Sequence, residues 1–189
     1  MNSAILLAAG QSKRMNGENK LTKEIQGIPL IKLSAKNILA SSINEMIVVL
    51  GHQKEVIEKL IDKSEKIKCV FNKDFESGMA SSIKAGLNHL SNNTDAFFIC
   101  LGDMPMVSHD IYNKLIKSKN NKEIIVPTFK SEQGNPVLFS KSMRKKIMTI
   151  EGDVGAKKIL ELNKDKILNI ETNDNGVTMN FNILDNFSS

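Results

Sequence analysis

The residues best suited to chemistry in this chain form a basic, glycine-containing loop near its N-terminus. A short apolar run at residues 4–9 ends at Gly10, and the polar segment that follows carries the cations Lys13, Arg14 and Lys20. An apolar run that ends at a glycine is typical of a buried parallel strand. Backbone N–H groups and fixed cations at the end of such a strand suit a polyphosphate. An ordinary strand-to-helix connection with solvated charges fits the same pattern.

The spacing of this loop excludes two familiar phosphate-binding sequences. A Walker loop requires Gly-x-x-x-x-Gly-Lys-Ser/Thr, whereas here Gly10 and Gly17 are separated differently and Lys20 lies beyond Glu18 and Asn19. The dinucleotide fingerprint Gly-x-Gly-x-x-Gly is also missing from the loop. A phosphate that binds here is therefore expected to bind in another arrangement.

A second candidate is Asp103, which follows the apolar run at residues 97–101 and is flanked by Gly102 and Pro105. A carboxylate at the end of a strand can ligate Mg²⁺, which prefers one or two carboxylates together with phosphate oxygens and water. A lone aspartate in a Gly-Asp-x-Pro loop is more often a turn residue that bonds its own backbone. Its combination with a phosphate-type loop favours the metal-binding interpretation.

Strands and helices must bring these residues together, and the hydrophobic pattern predicts both. Predicted strands cover residues 4–9, 46–50, 67–71, 96–101, 123–129, 137–139, 167–170 and 177–181, with a short extended piece at 21–26. Predicted helices cover about residues 29–39, 53–62, 83–90, 108–116, 141–150 and 155–162. Strands that alternate with helices indicate βαβ units and a mostly parallel sheet. Ligands of such sheets bind at the carboxyl ends of the strands, which Gly10, Gly51 and Gly102 follow.

The composition favours a single soluble, cytoplasmic domain over residues 1–189. The net charge is +5, but an aromatic content of 5% without Trp offers few surfaces for stacking bases, so we expect no nucleic-acid partner. No apolar stretch approaches the roughly 20 residues of a membrane span, and no signal-peptide pattern opens the chain. Cys69 and Cys100 lie inside apolar runs without metal-ligand spacing, as buried thiols in a reducing compartment do.

Several motifs, spread in order over nearly the whole chain, resemble the MobA-like nucleotidyltransferases. They are Leu7-Ala8-Ala9-Gly10 with Ser12, Arg14, Met15, Asn19, Lys20 and Leu21; Gly27-Ile28-Pro29-Leu30; Gly78-Met79-Ala80-Ser81-Ser82 with Ala85-Gly86-Leu87; Leu101-Gly102-Asp103-Met104-Pro105-Met106; Gly134-Asn135-Pro136-Val137; and Gly152-Asp153-Val154-Gly155-Ala156. Within that superfamily the set is most similar to the molybdenum cofactor cytidylyltransferases. The resemblance implies a three-layer, Rossmann-like α/β fold of the nucleotide-diphospho-sugar transferase type, with a mostly parallel sheet flanked by helices.

The resemblance also implies a reaction, namely transfer of CMP from CTP to the molybdopterin form of the molybdenum cofactor with release of pyrophosphate. The product would supply a molybdenum hydroxylase. The attacking phosphate monoester is largely dianionic near neutral pH, because its second pKa is about 6, and it needs no general base. Catalysis then depends on in-line positioning and on stabilisation of charge at the α-phosphate.

By the same resemblance, the motifs supply the expected site residues. The expected catalytic residues are Arg14, Lys20 and Asp103, and the expected Mg²⁺ ligands are Asp103 and Asn182. The expected nucleotide-binding residues are Leu7, Ala8, Ala9, Gly10, Ser12, Arg14, Lys20, Gly78, Ser81, Ser82 and Asp103. For Gly78 and Ser81 the alternative is a helix N-terminus capped by its own serines. The family motif reads Leu-Ala-Ala-Gly with CTP and Leu-Ala-Gly-Gly with GTP, so Ala9 favours CTP. Its β-carbon would narrow the pocket in favour of a pyrimidine.

The chain departs from the family near its end. An acidic Asp-x-Asp-Thr-Pro-Glu-Asp segment is common there, whereas this chain reads Asn-Phe-Asn-Ile-Leu-Asp over residues 180–185. Asn182 can still offer a neutral carbonyl oxygen to a metal, but one negative charge is lost.

Two alternative functions stay open. One is a cytidylyl- or uridylyltransferase that acts on a sugar or polyol phosphate, and the other is a non-catalytic carrier of the molybdenum cofactor, which the lost carboxylates support. On the acceptor side, Asp153 and the turn at residues 134–136 are candidates for lining the site, with a helix N-cap and a plain turn as their alternatives. His52 follows a predicted strand and is either close to the site or an ordinary helix-terminal residue.

Overall fold

The computed structural model describes residues 1–12, 18–119, 121–153 and 155–180. Its strands are β1 (Asn2–Ala8), β2 (Glu24–Ile25), β3 (Ile28–Pro29), β4 (Glu45–Leu50), β5 (Ile67–Phe71), β6 (Ala96–Leu101), β7 (Ile124–Phe129), β8 (Glu132–Gln133), β9 (Val137–Ser140) and β10 (Ile167–Glu171). Its α-helices are α1 (Leu30–Leu39), α2 (Lys54–Leu60), α3 (Met79–Asn88), α4 (His109–Lys117), α5 (Arg144–Ile147) and α6 (Ala156–Leu162). Short 3₁₀ turns lie at Lys20–Thr22, Phe75–Ser77, Lys141–Met143, Lys164–Lys166 and Asn175–Val177.

Eight of these strands form one mixed sheet in the order β10-β7-β9-β6-β1-β4-β5, with β8 paired to β7. The pairs β1–β4, β1–β6, β4–β5 and β10–β7 are parallel. Strand β9 runs antiparallel to both β6 and β7, and β8 runs antiparallel to β7. The predicted mostly parallel α/β sheet is confirmed. Strands β2 and β3 form a separate two-stranded ribbon.

Strand β1 lies where the order of the sheet reverses. The chain continues from β1 to β4 and β5 on one side and then crosses to β6 on the other. Ala8 is in register with Leu50 of β4, and Leu7 is in register with Leu101 of β6. The carboxyl ends of β1, β4 and β6 therefore meet at a switch point, which is where open α/β sheets bind ligands.

Helices cover both faces of the sheet because its inner strands are apolar on both sides. Alternate residues of β1 point to opposite faces. Ala4 and Leu6 belong to a buried cluster that includes residues of α1, α2 and α4, whereas Ile5 belongs to a second cluster with residues of α3, α5 and α6. The result is a three-layer arrangement. None of the helices within the described ranges combines the length and the apolarity that crossing a membrane requires.

The strand predicted at residues 177–181 is wrong over its described part. Val177 ends a 3₁₀ turn, and the N–H groups of Thr178 and Met179 bond back to the carbonyl groups of Asn175 and Gly176. Val177 is fully buried, and its carbonyl oxygen accepts a hydrogen bond from a distant loop instead of a sheet neighbour. Local turn bonds and the burial of one apolar side chain therefore replace strand pairing.

Two other predicted segments differ in detail. The extended piece predicted at residues 21–26 is a 3₁₀ turn followed by the two-residue strand β2. The helix predicted at residues 141–150 is a 3₁₀ turn that continues into the four-residue α5. Ser108 occupies the residue before α4, as predicted, but its hydroxyl donates to Asp174 Oδ2 at 2.8 Å instead of capping the helix.

Candidate active site

A cleft of about 580 Å³ opens at the carboxyl ends of β1 and β6. It is lined by Leu7, Ala9, Gly10, Gln11, Ser12, Lys20, Leu21, Phe75, Glu76, Ser77, Gly78, Met79, Ser82, Leu101, Gly102, Asp103, Asp153 and Asn180. The basic loop after β1, the turn after β6 and the start of α3 thus share one space, although they lie far apart in the sequence.

Lys20 and Asp103 form an ion pair inside this cleft. The Lys20 Nζ atom lies 2.5 Å from Asp103 Oδ2, and the two side chains are 25% and 13% exposed. The basic loop and the aspartate after β6 are therefore in direct contact, although they lie 83 residues apart in the sequence. An ion pair as little exposed as this one is less screened by water and salt than a surface pair.

The backbone of Lys20 is held in place by its neighbours. Its N–H donates to Ser12 Oγ at 3.0 Å. The preceding residue, Asn19, is 2% exposed; its side-chain oxygen accepts from the Leu21 N–H at 3.1 Å, and its amide group donates to the His52 carbonyl at 3.4 Å. These hydrogen bonds fix the backbone of Lys20, while its side chain lines the cleft.

Asp103 is positioned by the end of β6. The Gly102 N–H donates to the Leu7 carbonyl at 3.1 Å, and the Gly102 carbonyl accepts from Ser34 Oγ at 3.0 Å. A β-carbon at Gly102 would lie 3.0 Å from the Leu7 carbonyl oxygen and 3.1 Å from Ile31 Cδ1. The backbone before Asp103 is therefore fixed on β1, with space for little more than a glycine.

The second wall of the cleft is the 3₁₀ turn Phe75–Ser77 together with the start of α3. Ser82 lines it, but Ser81 does not. The Ser81 hydroxyl hydrogen-bonds to the carbonyl groups of Asp74 and Gly78 at 2.9 and 2.8 Å, and it accepts from Asn72 Nδ2 at 2.8 Å. Ser81 thus organises the turn before α3, and its hydroxyl does not cap the helix N–H groups.

The methyl group of Ala9 is packed against the wall of the cleft. Ala9 is 3% exposed, and a β-carbon at Gly51 would lie 2.7 Å from both Ala9 Cβ and Phe75 Cβ. Ala9 therefore lies where the loop after β1, the end of β4 and the Phe75 turn meet. Ala8 is also buried, but unlike Ala9 it does not line the cleft.

Two contacts on this wall were not anticipated from the sequence. Gln11 Nε2 donates to Glu76 Oε1 at 2.8 Å, which links the loop after β1 to the Phe75–Ser77 turn. Asp153 Oδ1 accepts the N–H of Met79, the first residue of α3, at 3.2 Å. Neither pair carries a local signal, because the partners are separated by 65 and 74 residues.

Other predicted residues fall elsewhere. Arg14 and Asn182 lie outside the described residues. The turn at residues 134–136 does not line the cleft; a β-carbon at Gly134 would lie 2.3 Å from the Val177 carbonyl oxygen, so the turn packs on that residue. His52 lies behind the wall, with its ring centroid 6.4 Å from that of Phe75.

The described lining of the cleft is acidic. It carries three carboxylates, Glu76, Asp103 and Asp153, and one ammonium group, Lys20, for a formal charge of −2. Within the described residues no group of three or more His, Cys, Asp or Glu side chains could hold a metal ion. A cation in this cleft would thus take at most two ligands from the described His, Cys, Asp and Glu side chains.

Comparison with known proteins shows the family to which this chain belongs. The MobA-like NTP transferase domain matches residues 4–167. The bifunctional protein GlmU of Thermosipho africanus is 33% identical over 166 residues, which cover 84% of this chain but only 35% of that protein. The chain thus spans about a third of the length of this relative.

Two shorter relatives are named for molybdenum cofactor chemistry. The molybdenum cofactor cytidylyltransferase of Escherichia coli is 31% identical over 137 residues, covering 72% of this chain and 69% of that protein. A probable molybdenum cofactor guanylyltransferase of Methanosarcina acetivorans is 29% identical over 155 residues, covering 79% and 67%.

Solved structures agree on the fold. A nucleotidyl transferase from Methanothermobacter thermautotroptrophicus superposes with a TM-score of 0.83 at 17% identity, covering 99% of this chain and 95% of that one. The predicted nucleotide-diphospho-sugar transferase type of fold is confirmed. With the family model matching most of its length, this chain belongs to the MobA-like NTP transferase domain family.

Proposed function

We propose that this protein is a nucleotidyltransferase that moves CMP from CTP to the molybdopterin form of the molybdenum cofactor and releases pyrophosphate. The observation that carries the proposal is the meeting of the Gly10–Ser12 loop, Lys20 and Asp103 in one cleft. The cytidylyltransferase relative, of which the chain covers 69%, supports the choice of nucleotide and acceptor. In this proposal the product supplies a molybdenum hydroxylase.

The triphosphate of CTP would bind along the loop after β1. Lys20 brings an ammonium group to the cleft, and backbone N–H groups of residues 9–12 follow a strand end, where anions are commonly held. Arg14, in the same loop, would add a second cation that can bind phosphate in a bidentate manner. These positive groups are needed because the described lining is otherwise acidic.

Lys20 and Asp103 must exchange partners when a nucleotide binds. They neutralise one another at 2.5 Å, so a triphosphate that recruits the Lys20 ammonium group leaves Asp103 with an uncompensated charge in a partly buried position. A divalent cation bound with the triphosphate restores the balance. The proposed site therefore favours the metal complex of the nucleotide over either component alone.

Asp103 is the described residue that would hold Mg²⁺, and Asn182 would contribute a neutral oxygen. Asp103 fits the role because it is a single carboxylate beside the expected phosphate position, and Mg²⁺ takes few protein ligands when phosphates supply the others. When bound, the ion would neutralise phosphate charge and act as a Lewis acid at the α-phosphate.

The chain's own residues then have to align and stabilise the reacting groups. A phosphate oxygen of the acceptor attacks the α-phosphorus of CTP, a new P–O bond forms, and the bond to the bridging oxygen of the β-phosphate breaks with its electron pair leaving on pyrophosphate. The attacking dianion needs no base, so Lys20 and Arg14 contribute by holding charge that develops on the phosphates.

The choice of CTP rests on Ala9. Because its methyl group is buried beside Gly51, which also adjoins Phe75, it would set the distance between the Gly10 loop and the opposite wall more than it would project into the cleft. A smaller base fits the narrower space. GTP is the second candidate, because a guanylyltransferase relative covers 79% of this chain at similar identity.

The variant Asp103→Ala tests whether Asp103 is the essential metal ligand, which a transferase requires and a non-catalytic carrier of the cofactor does not. We expect pyrophosphate release from CTP, measured with molybdopterin-type cofactor and Mg²⁺, to fall by at least about a hundredfold, as when a group that stabilises transition-state charge is removed. Asp62→Ala is the matched control, because Asp62 pairs with Lys32 on the surface. Full turnover by Asp103→Ala would show that Asp103 is not the essential metal ligand.

The acceptor is tested in the same assay by replacing the cofactor with simple phosphates. No pyrophosphate should appear with CTP and a sugar or polyol phosphate alone. Release under those conditions would favour the alternative sugar or polyol phosphate transferase.

A further inference from the structure

Helix α3 is capped by a part of the chain that lies far away in the sequence. The residue before it, Gly78, makes no side-chain cap. Instead, the N–H of Met79 donates to Asp153 Oδ1 at 3.2 Å, and the N–H of Ala80 donates to the Gly152 carbonyl at 3.1 Å. The first N–H groups of a helix have no partner within it, so residues 152 and 153 satisfy two donors that would otherwise remain unpaired.

The contact is closely fitted on both sides. Gly78 has a φ of +110°, which side chains rarely adopt, and a β-carbon there would lie 2.5 Å from the carbonyl carbon and oxygen of Gly152. A β-carbon at Gly155 would lie 2.7 Å from the Met79 sulfur. The glycines of these two segments thus allow a close approach that the carboxylate of Asp153 completes.

This contact lies on the cleft. Gly78, Met79 and Asp153 all line it, on the wall that also carries Ser77 and Ser82. We infer that Asp153 is a positioning residue, which caps α3 from a distant segment and so fixes the backbone of Gly78 and Met79 against residues 152, 153 and 155. The inference rests on the proposed function, because the shape of this wall matters to activity only if a substrate occupies the cleft.

A positioning role and a direct role make different demands on Asp153. Capping needs one acceptor oxygen close to the Met79 N–H, and an asparagine side chain supplies it. Direct contact with a metal ion or a charged substrate needs the negative charge, which asparagine lacks. Comparison of Asp153→Asn with Asp153→Ala therefore separates the two roles.

The first measurement is the rate of amide hydrogen exchange, which is monitored by NMR in the absence of substrates. In Asp153→Ala the Met79 amide should exchange about fivefold faster, the effect of losing one helix cap, while amides in β1 and β6 keep their wild-type rates. Asp153→Asn should stay close to wild type. Glu151→Ala is the control, since it removes an exposed carboxylate from the same segment without touching the cap. Because Asp153 is exposed, these substitutions remove no core packing.

The second measurement is steady-state kinetics with CTP and the molybdopterin-type cofactor. We expect Asp153→Ala to raise KM for at least one substrate by about fivefold, in proportion to the loss of the cap, with a smaller change in kcat. In Asp153→Asn, KM should stay close to the wild-type value. Equal impairment by the two variants would overturn the inference in favour of a direct role for the charge, and unchanged exchange and KM in Asp153→Ala would show that the backbone of Gly78 and Met79 is not fixed by Asp153.

The proposed function and the positioning role of Asp153 can be contradicted independently of each other. A wild-type protein that releases no pyrophosphate from CTP contradicts the proposed function, whereas the exchange rates of Met79 and Ala80 decide the cap without any substrate. Conversely, normal CTP turnover together with an unchanged Met79 exchange rate in Asp153→Ala contradicts only the positioning role.

Discussion

At the scale of single residues, we propose that the contact between Lys20 and Asp103 governs which ions the cleft binds. Both side chains are mostly shielded from solvent, and each compensates the charge of the other. Removing one member of such a pair leaves the other uncompensated, which changes the affinity of the site for ions of both signs.

Asp103→Asn should therefore bind CTP more tightly than wild type when no divalent metal is present. The substitution frees the Lys20 ammonium group for phosphate, so we expect the dissociation constant to fall about tenfold, comparable to one hydrogen bond to a charged group. Calorimetry in the presence of a chelator measures this constant. With Mg²⁺ added, wild type should gain affinity and Asp103→Asn should not.

Glu76→Gln is the control for charge alone. It removes the same charge from the same cleft and can keep the contact with Gln11, but it leaves Lys20 paired with Asp103. Its effect on metal-free CTP affinity should be well below that of Asp103→Asn. Equal effects would show that the ion pair has no special role and that only the net charge of the cleft matters.

At the scale of elements, close packing of α3 on the sheet places the wall of the cleft. A β-carbon at Gly86 would lie 2.4 Å from Ile5 Cγ2 and 3.2 Å from Val49 Cγ2, and both of these side chains are fully buried. Gly86 therefore lets the helix lie directly on β1 and β4. The resemblance to the family marked Gly86 without giving it this reason.

Gly86→Ala should destabilise the protein in spite of the better helix propensity of alanine. Overpacking of Ile5 should outweigh a propensity gain of up to about 1 kcal/mol, for a net loss of about 1–2 kcal/mol in the free energy of unfolding. Urea denaturation measures it. Gly10→Ala is the matched control, since a β-carbon there meets nothing within 4 Å. A Gly86→Ala variant as stable as wild type would contradict the packing argument.

Glu171 links the edge strand β10 to β7 through hydrogen bonds whose contribution to stability depends on pH. Its carboxylate accepts from Thr128 Oγ1 at 2.5 Å and from the Lys130 N–H at 2.9 Å. The hydrogen bond from Thr128, followed by those from backbone N–H groups of Lys130 and Ser131, lowers the pKa of Glu171 in the folded protein. A lowered pKa stabilises the fold above the unfolded-state pKa, and this contribution is lost as the pH falls through the folded-state pKa.

Glu171→Gln should accordingly lower the urea midpoint at about pH 7 and have a smaller effect at an acidic pH below the folded-state pKa, where the wild-type carboxyl is protonated. Glu132→Gln, on the exposed strand β8, removes the same charge away from these contacts and should shift neither midpoint appreciably. A Glu171→Gln effect of the same size at both pH values would contradict the assigned pKa shift.

Elements with a periodic apolar pattern were predictable, and those fixed by distant contacts were not. Strands β5 and β6 have the predicted bounds, and β1 and β4 differ by at most two residues at either end. The inner parallel strands β1, β4 and β6 were predictable because they are buried and largely apolar. Residues 177–180 also looked like part of a strand. Their conformation depends on turn bonds at Asn175 and Gly176 and on burial of Val177, which no local pattern reveals.

At the scale of the whole molecule, one sheet carries both the core and the cleft. Helices cover its two faces, and its two apolar clusters share the strands β1, β4 and β6. We propose on this basis that the 189 residues fold as one domain. The switch point beside β1 explains why segments after β1 and β6, some 90 residues apart in the sequence, close one site.

The meeting of the Gly10 loop, Lys20 and Asp103 in one cleft was predictable from the sequence, whereas the far wall of the cleft was not. Lys20, Asp103 and the Gly10 loop follow strand ends, so their convergence is expected from sheet topology alone. The roles of Gln11, Glu76 and Asp153 arise from contacts between loops, whose paths depend on packing across the whole chain.

The choice of nucleotide tests the proposed function most directly. The protein is incubated with Mg²⁺, the molybdopterin-type cofactor and each of CTP, GTP, ATP and UTP in turn, and released pyrophosphate is measured. We expect pyrophosphate release with CTP to be well above that with the other three nucleotides. Preference for GTP would contradict the role given to Ala9, and no release with any nucleotide would contradict nucleotidyl transfer to this acceptor.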